Sequence, residues 1–478
     1  MDFKRFFSFE RTYNFVALFV CYLISISLTA GQYLKEKGIT SNLLTEIRSS
    51  LSLDARDTAL VNALANNDLH KITLNQEFIK KHNNLFTNRI ETKGITDQKN
   101  SGRCWIFAGL NVMRPVVITK YGLKNFEFSQ SYISFYDLLE KANFLLEFVI
   151  QTRDRDLMDR ELDEILDNGV QDGGYWQWFV ALVEKYGVVP KEIFPETYPT
   201  SNTWLMNRLI NEQVLAGAGI LRRMAHSGAD ETELRVYKLK ILKAVYKILV
   251  MNFTMPPEEF VWRHEDKDGK IVESKKYTPQ EFYKEFVAVD LRNYVSLINY
   301  PGRDYDQLYQ FDNCRNIFDY PDPLSANVSI DVMKEAVKKS LLNNEPVWFS
   351  CDIGKSNDRE KGILSSKVFN YDAVFQTEIK MDKEARIFYR YSAGNHAMVI
   401  LGVDIISSKP VKWLVENSHG SDEGDQGFYS MYDDWFDDYA FEAIINIKYL
   451  PEEVKKIFKQ KPIHLPLWDP MAKILIVK

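Results

Sequence analysis

Cysteine is scarce in this 478-residue chain, and it follows no ligand pattern. The four cysteines stand at positions 21, 104, 314 and 351, with no Cys-x-x-Cys pair and no zinc spacing, so no structural metal is expected. Cys314 and Cys351 read as free thiols. Histidine is also sparse, with seven residues and no His-Glu-x-x-His pairing. Most of His70, His82, His226, His264 and His464 read as surface or helix-cap residues, and none is assigned chemistry. No long basic run occurs and the net charge is −6, which argues against a broad nucleic-acid footprint. No repeat, low-complexity segment or cofactor motif stands out. What remains is an ordinary globular composition, 45% hydrophobic and 26% charged, long enough for two or three domains.

Against that background one stretch is specific: Gln98-Lys99-Asn100-Ser101-Gly102-Arg103-Cys104-Trp105-Ile106-Phe107-Ala108. Cys104 opens an apolar, aromatic run that reads as a helix. A Cys at a helix N-terminus feels the positive end of the macrodipole, which favours the thiolate and predicts a lowered thiol pKa. Gln98 precedes it by six residues, and its amide, with the Cys104 N–H, would form an oxyanion hole. A lone Cys is more often a small core hydrophobe. Two later segments turn the reading toward chemistry. In Tyr391-Ser392-Ala393-Gly394-Asn395-His396-Ala397-Met398 a small-residue turn delivers His396 into a β-rich run. In Trp413-Leu414-Val415-Glu416-Asn417-Ser418-His419-Gly420 a strand ends on Asn417. A thiol nucleophile needs a base, and the base needs a residue that fixes its tautomer. Cys104, His396 and Asn417 fit those roles, and the 21-residue separation of His396 and Asn417 suits two neighbouring strands and their turn.

These motifs resemble the bleomycin hydrolase and aminopeptidase C branch of the papain-like cysteine peptidases. Further segments carry the likeness, among them Asn111 to Arg114, Phe126 to Tyr132, Asp172-Gly173-Gly174, Glu184 to Val188, His226 to Ala229 and Leu465 to Met471. The resemblance implies Cys104 as nucleophile, His396 as base, Asn417 as the residue that orients it, and Gln98 with Cys104 in the oxyanion hole. It implies that Gly173 and Gly174 lie along the substrate backbone, where a missing side chain permits close approach. The implied fold class is α+β, a papain-like fold with a helical half, a β-rich half and a large inserted helical and hairpin hook module. The implied activity is removal of N-terminal residues from peptides with a free N-terminus. The implied assembly is a homo-hexamer.

The chain departs from the family pattern at two places. His419 stands where papain-like enzymes usually carry a Trp that shields the Asn–His hydrogen bond. It reads either as a tolerated aromatic-like replacement or as a second titrating imidazole that perturbs the pH profile. The tail after Met471, Ala472 to Lys478, is two residues longer than the family pattern, bulkier and cationic. In the family the C-terminus enters the cleft and restricts cleavage to N-terminal residues. A longer tail overfills the cleft, is rerouted or trimmed, or packs as a strand elsewhere. That keeps an endopeptidase as the nearest alternative, beside a thiol acyltransferase and a catalytically silent scaffold.

The 292 residues from Cys104 to His396 require an insertion. Asp230-Glu231-Thr232-Glu233 is a capping box before an apolar-periodic helix, Leu234 to Met251. Asp266-Lys267-Asp268-Gly269 reads as a hairpin turn, and Thr278-Pro279-Gln280-Glu281 as a second capping box. Asp331 to Leu342 reads as a helix and Pro346 to Cys351 as a buried strand. At the other end, Thr12 to Ala30 is 19 uncharged residues preceded by Lys4, Arg5 and Arg11. At about 1.5 Å per residue it would span ~28 Å, enough for a signal peptide or membrane anchor. Export or anchoring is the expected location, with the cytoplasm of typical relatives as the alternative. The expected divisions are an apolar segment at 1–31, a helical part with Cys104 at 32–202 and the inserted oligomerisation module at 203–325. A β-rich part with His396 and Asn417 at 326–450 and a cleft-entering tail at 451–478 complete the chain.

Overall fold

A computed structural model describes residues 37–475 except Glu273. The apolar run at 12–30 and the last three residues lie outside the described residues. Among the described residues no helix is long and apolar enough to cross a membrane. The chain forms two compact units divided between Thr73 and Leu74. In the first, helices Ser41–Ser49 and Ala55–Asn66 begin at side-chain caps from Thr40 and Asp54, and a short helix Leu69–Thr73 follows.

The second unit is built around helix α1 (Cys104–Tyr121). Its residues are apolar on nearly every face and it is buried from Cys104 through Pro115, as expected of a central core helix. It stops at Gly122, whose φ of 59° is the left-handed conformation that glycine adopts without strain. Helix α2 (Gln130–Gln151) starts at the Ser129 cap and is flanked by α3 (Trp176–Tyr186), α4 (Trp204–His226) and α5 (Glu231–Phe253). The expected capping box opens α5: Glu233 N–H donates to the Asp230 carboxylate and Asp230 N–H to the Glu233 carboxylate, both at 2.9 Å.

The expected hairpin is present. Phe260–Trp262 pairs antiparallel with Lys275–Tyr277, and the Gly269 N–H donates to the Asp266 carbonyl at 3.0 Å in the turn. The second capping box also forms, but the helix it starts stays α-helical only over Pro279–Glu281. It widens into a π-helical turn, Phe282–Val287, where Phe282 and Phe286 stack at 4.7 Å and pack edge-on against Trp262. Aromatic packing, which local sequence does not encode, overrides α-helical continuation there.

The β-rich half is one large sheet. Its centre runs in the order β1 (Tyr294–Ile298), β6 (Ala440–Asn446), β2 (Val347–Cys351), β3 (His396–Ile406), β4 (Lys409–Glu416), β5 (Phe428–Tyr432). Helix α6 (Ile330–Leu342), capped by Ser329, leads into the fully buried β2, close to the expected bounds of both elements. Strands β3 and β4 form a hairpin with Ile406 opposite Lys409. Ser407 and Ser408, at φ 50° and 67°, make its two-residue turn, both in the left-handed region that a tight hairpin of matching twist demands. This hairpin brings the start of β3 and the end of β4, hence His396 and Asn417, to the same end of the sheet.

One polar tie joins α1 to that hairpin. Arg114 on α1 donates to the Glu416 carboxylate on β4 at 2.6 Å, and the Asn111 amide donates to the same oxygen at 3.0 Å. Arg114 and Glu416 are 2% and 0% exposed, so neither charge has water to fall back on. Burial pushes the Glu416 carboxyl up to about 7, and the Arg114 guanidinium works against that rise. Removing one member of a fully buried pair leaves the other uncompensated. Arg114→Met is expected to lower unfolding free energy by about 3–5 kcal/mol in chemical denaturation. The double variant Arg114→Met/Glu416→Gln is expected to lose less than the two single variants summed. Strict additivity would mean that the two side chains stabilise the fold independently.

Candidate active site

Cys104 is the first residue of α1, at a turn whose Arg103 carbonyl accepts the Ile106 and Phe107 N–H groups. Backbone N–H groups of Ala397, Trp105 and Cys104 itself favour its thiolate. Ala397 directly follows His396, so the sulfur lies against the start of β3. The His396 Nε2 is 2.7 Å from Asn417 Oδ1. Asn417 Oδ1 also accepts the Ser418 N–H at 2.8 Å, which identifies that atom as the carbonyl oxygen. His396 Nε2 is therefore the protonated nitrogen, and Nδ1 is left as the acceptor. All three side chains are buried.

Gln98 is held beside the same point. Its N–H donates to the Ser418 carbonyl at 2.7 Å, and its Oε1 accepts from Ser418 Oγ at 2.6 Å. Its amide nitrogen donates one proton to the Ser101 carbonyl at 2.6 Å, leaving the second for another acceptor. Loop and strand are thus latched on both sides of Asn417: Glu416 to Arg114 before it, Ser418 to Gln98 after it.

The electrostatics differ from the simple helix-dipole expectation. Burial pushes the Cys104 thiol up to about 12, outweighing the three N–H donors that favour the thiolate. Burial pushes His396 down to about 4, with the His419 ring lowering it further and Asn417 opposing. The helix N-terminus acts in the predicted direction, but the lost solvation of an enclosed sulfur is larger.

Gly173 and Gly174 are buried, and at Gly174 packing leaves no room for a side chain. A Cβ on Gly174 would stand 2.5 Å from the Trp105 indole. The Gly173 carbonyl accepts from Lys141 Nζ at 2.7 Å, and Lys141 also pairs with Asp137 at 2.5 Å. Asp172 organises the surroundings. Its carboxylate accepts from Gly102 N–H at 2.9 Å, Thr203 Oγ1 at 2.5 Å and Asn207 Nδ2 at 2.6 Å, and its carbonyl accepts from the Trp105 indole at 2.6 Å. Arg103, 1% exposed, forks onto Glu196 at 3.2 and 2.9 Å and is also in reach of Ser101 and Ser131. Against the desolvation of burial, that guanidinium holds the Glu196 carboxyl below its ordinary range. Sequence reading passed over Asp172, Arg103 and Ser418 as site residues. The Asp before Gly-Gly was the available signal for the first, and no local signal pointed to Glu196.

Of the remaining histidines, His419 stacks on His396, and His82 and His264 are half-buried rather than surface residues. Cys314 and Cys351 are free and buried. Among the described residues no cluster of His, Cys, Asp and Glu is arranged to hold a metal.

A helix-borne Cys facing a strand-borne His–Asn pair across two halves is the papain-like fold. A model of the peptidase C1-like family matches residues 38–472, and the chain belongs to that family. It is 36% identical over 443 residues to aminopeptidase C of Lactobacillus delbrueckii subsp. lactis, covering 92% of this chain and 99% of that protein. It is 34% identical to human bleomycin hydrolase, covering 92% of this chain and all of that protein. The crystal structure of PepW from Lactobacillus rhamnosis HN001 superposes with a TM-score of 0.88 at 36% identity, over 91% of this chain and 99% of that one.

Gly174→Ala is expected to destabilise the chain by about 1–3 kcal/mol, because the added methyl must displace the Trp105 ring. Denaturation midpoints equal to those of the parent would show that the indole has room to move.

Proposed function

We propose that the chain is a thiol-dependent aminopeptidase that removes N-terminal residues from peptides through a Cys104 thioester. The observation that carries the reading is the buried His396–Asn417 hydrogen bond at the start of β3, the strand that packs on the helix opened by Cys104. The relatives' names, aminopeptidase C and bleomycin hydrolase, support the same class.

His396 takes the Cys104 proton on Nδ1, which converts two neutral partners into an ion pair without changing net charge. The thiolate sulfur then bonds to the peptide carbonyl carbon. The Cys104 N–H and the free Gln98 amide proton receive the developing oxyanion. The C–N bond breaks as His396 returns the proton to the leaving amine. Water, deprotonated by His396, attacks the thioester and releases the acid. Asn417 keeps Nε2–H occupied, so that Nδ1 faces the sulfur throughout. Gly173, with its carbonyl fixed by Lys141, is the part of the Asp172–Gly174 strip assigned to the substrate backbone.

Restriction to a free N-terminus rests on the tail. Met471, Ala472, Ile474 and Leu475 are buried, Lys473 pairs with Glu164, and residues 474 and 475 form a turn after helix Pro470–Lys473. Leu467 lines a cavity with Gln171 and Tyr175, the residues bracketing Asp172–Gly174. These contacts support a tail that runs beside the substrate strip. Oligomerisation through the 203–325 module, as a homo-hexamer, is part of the proposal. Trp204, Val236, Leu239, Met251 and Val261 leave large apolar area exposed on that module. Export or anchoring through residues 12–30 is proposed on sequence alone.

A peptide with a free N-terminus and its N-acetylated twin, incubated with the chain lacking residues 1–31, provide the test. Stepwise cleavage of the free-amine peptide alone is expected. Internal cleavage of both would assign an endopeptidase. Cys104→Ala is expected to abolish turnover without loss of fold, and Asn417→Ala to reduce it by about 10- to 100-fold, because it orients the base and does not bond to substrate. Residual hydrolysis by pure Cys104→Ala would refute the thioester route.

A further inference from the structure

His419 occupies a position that the proposed chemistry does not use. Its ring lies parallel to His396, with 10° between planes and 5.2 Å between centroids. The backbone holds it there from both sides. His419 bridges to Asp97, the Gly420 N–H donates to the Thr96 carbonyl at 3.0 Å, and the Gln98 N–H donates to Ser418 at 2.7 Å. Gly420, at φ 74°, has Asp97 so close that a Cβ would come within 2.8 Å of its carboxylate. The backbone at His419 therefore cannot move away without breaking the latch that carries Gln98.

We propose that His419 is a positioning residue that covers the His396–Asn417 bond as a neutral ring and uncouples the Cys104–His396 pair when it takes up a proton. This rests on the thiol peptidase reading and adds a pH-dependent control to the same site. The physical basis is charge against charge. Proton transfer from Cys104 makes His396 an imidazolium. If His419 is already charged, two like charges stack face to face, and at about 5 Å that repulsion is enough to shift a protonation equilibrium roughly tenfold or more. An indole in this position would give the cover without the charge.

The groups facing His419 set where this happens. Burial is the largest influence and lowers its proton affinity below the ordinary imidazole range. Glu423 raises it, Arg359 lowers it and Asp97 raises it. Arg359 is itself paired with Glu423 at 3.0 Å, and Lys99 with Asp97, so each acid is partly neutralised. On the other face stand His396, which also repels a proton on His419, and the neutral Asn417. His419 is therefore neutral near pH 7 and charges on the acid side, where the enclosed His396 can least tolerate a cation.

The test compares parent, His419→Trp and His419→Gln between pH 4.5 and 8.0 by two readouts. One is kcat/KM on an aminoacyl amide with a free amine. The other is the rate of Cys104 alkylation by iodoacetamide, which needs no peptide turnover. The expected parent acid limb is steeper than a single ionisation. Both variants are expected to show a single-proton limb displaced at least about half a pH unit lower, so that the rate at pH 5 relative to pH 7 rises about threefold or more. Superimposable limbs in the parent and a folded variant would overturn the proposal. Displaced alkylation limbs without any amide hydrolysis would uphold the coupling and reject the peptidase reading. If neither variant folds, the NMR titration of His419 in the parent decides. A midpoint on the acid limb supports the coupling, and one more than about a unit away overturns it.

Discussion

The proposed nucleophile and its base sit on different halves of the fold, so everything depends on holding α1 against the β3–β4 hairpin. The Arg114–Glu416 pair does this from inside the core. Glu416 immediately precedes Asn417, and Arg114 lies on the helix that begins at Cys104. A buried ion pair is a poor source of net stability, because both charges lose water. It is a good source of register, since an imperfectly paired guanidinium in that setting is strongly disfavoured. Ser418 and Gln98 add a second tie on the far side of Asn417. With both in place the imidazole has one orientation, and the geometry exists before substrate arrives.

A similar logic holds the other wall. Asp172 gathers the Gly102 N–H, the Thr203 hydroxyl, the Asn207 amide and the Trp105 indole around one residue. The loop before Cys104, the start of α4 and the Gly-Gly strip are thereby fixed together. Gly174 is glycine because Trp105 fills the space its side chain would need. The missing Cβ at Gly174 is what lets the strip lie directly on the core indole.

Burial has opposite effects on cover and reactivity. Enclosing Cys104 and His396 excludes water from their hydrogen bonds, yet it favours the neutral form of each. The backbone donors at the sulfur and the Asn417 carbonyl at the imidazole recover part of that loss by solvating the ion pair internally. In such a site the polarity of whatever covers the imidazole matters as much as its shape. A stacked histidine in place of an apolar ring changes the field that the pair must work against.

Much of what surrounds the candidate site residues was legible in the chain itself. Cys104 at a helix start, His396 entering a strand and Asn417 ending the next are local patterns, because each depends on residues within a few positions. So are the Asp230–Glu233 and Thr278–Glu281 capping boxes and the hairpin spacing between His396 and Asn417. Three things were beyond local reading. The direction of the thiol's shift depends on how deeply tertiary packing encloses the sulfur. The π-turn at Phe282–Val287 depends on Trp262 arriving from the hairpin. The Arg103–Glu196, Arg114–Glu416 and Gln98–Ser418 ties join residues 93, 302 and 320 positions apart, and nothing near either partner names the other. Sequence by itself determined which groups are present and which local element carries each, since backbone propensity and capping are short-range. Only the tertiary structure decided their distances, their solvation and the stacking of His419 on His396, because these arise where distant segments meet and water is excluded.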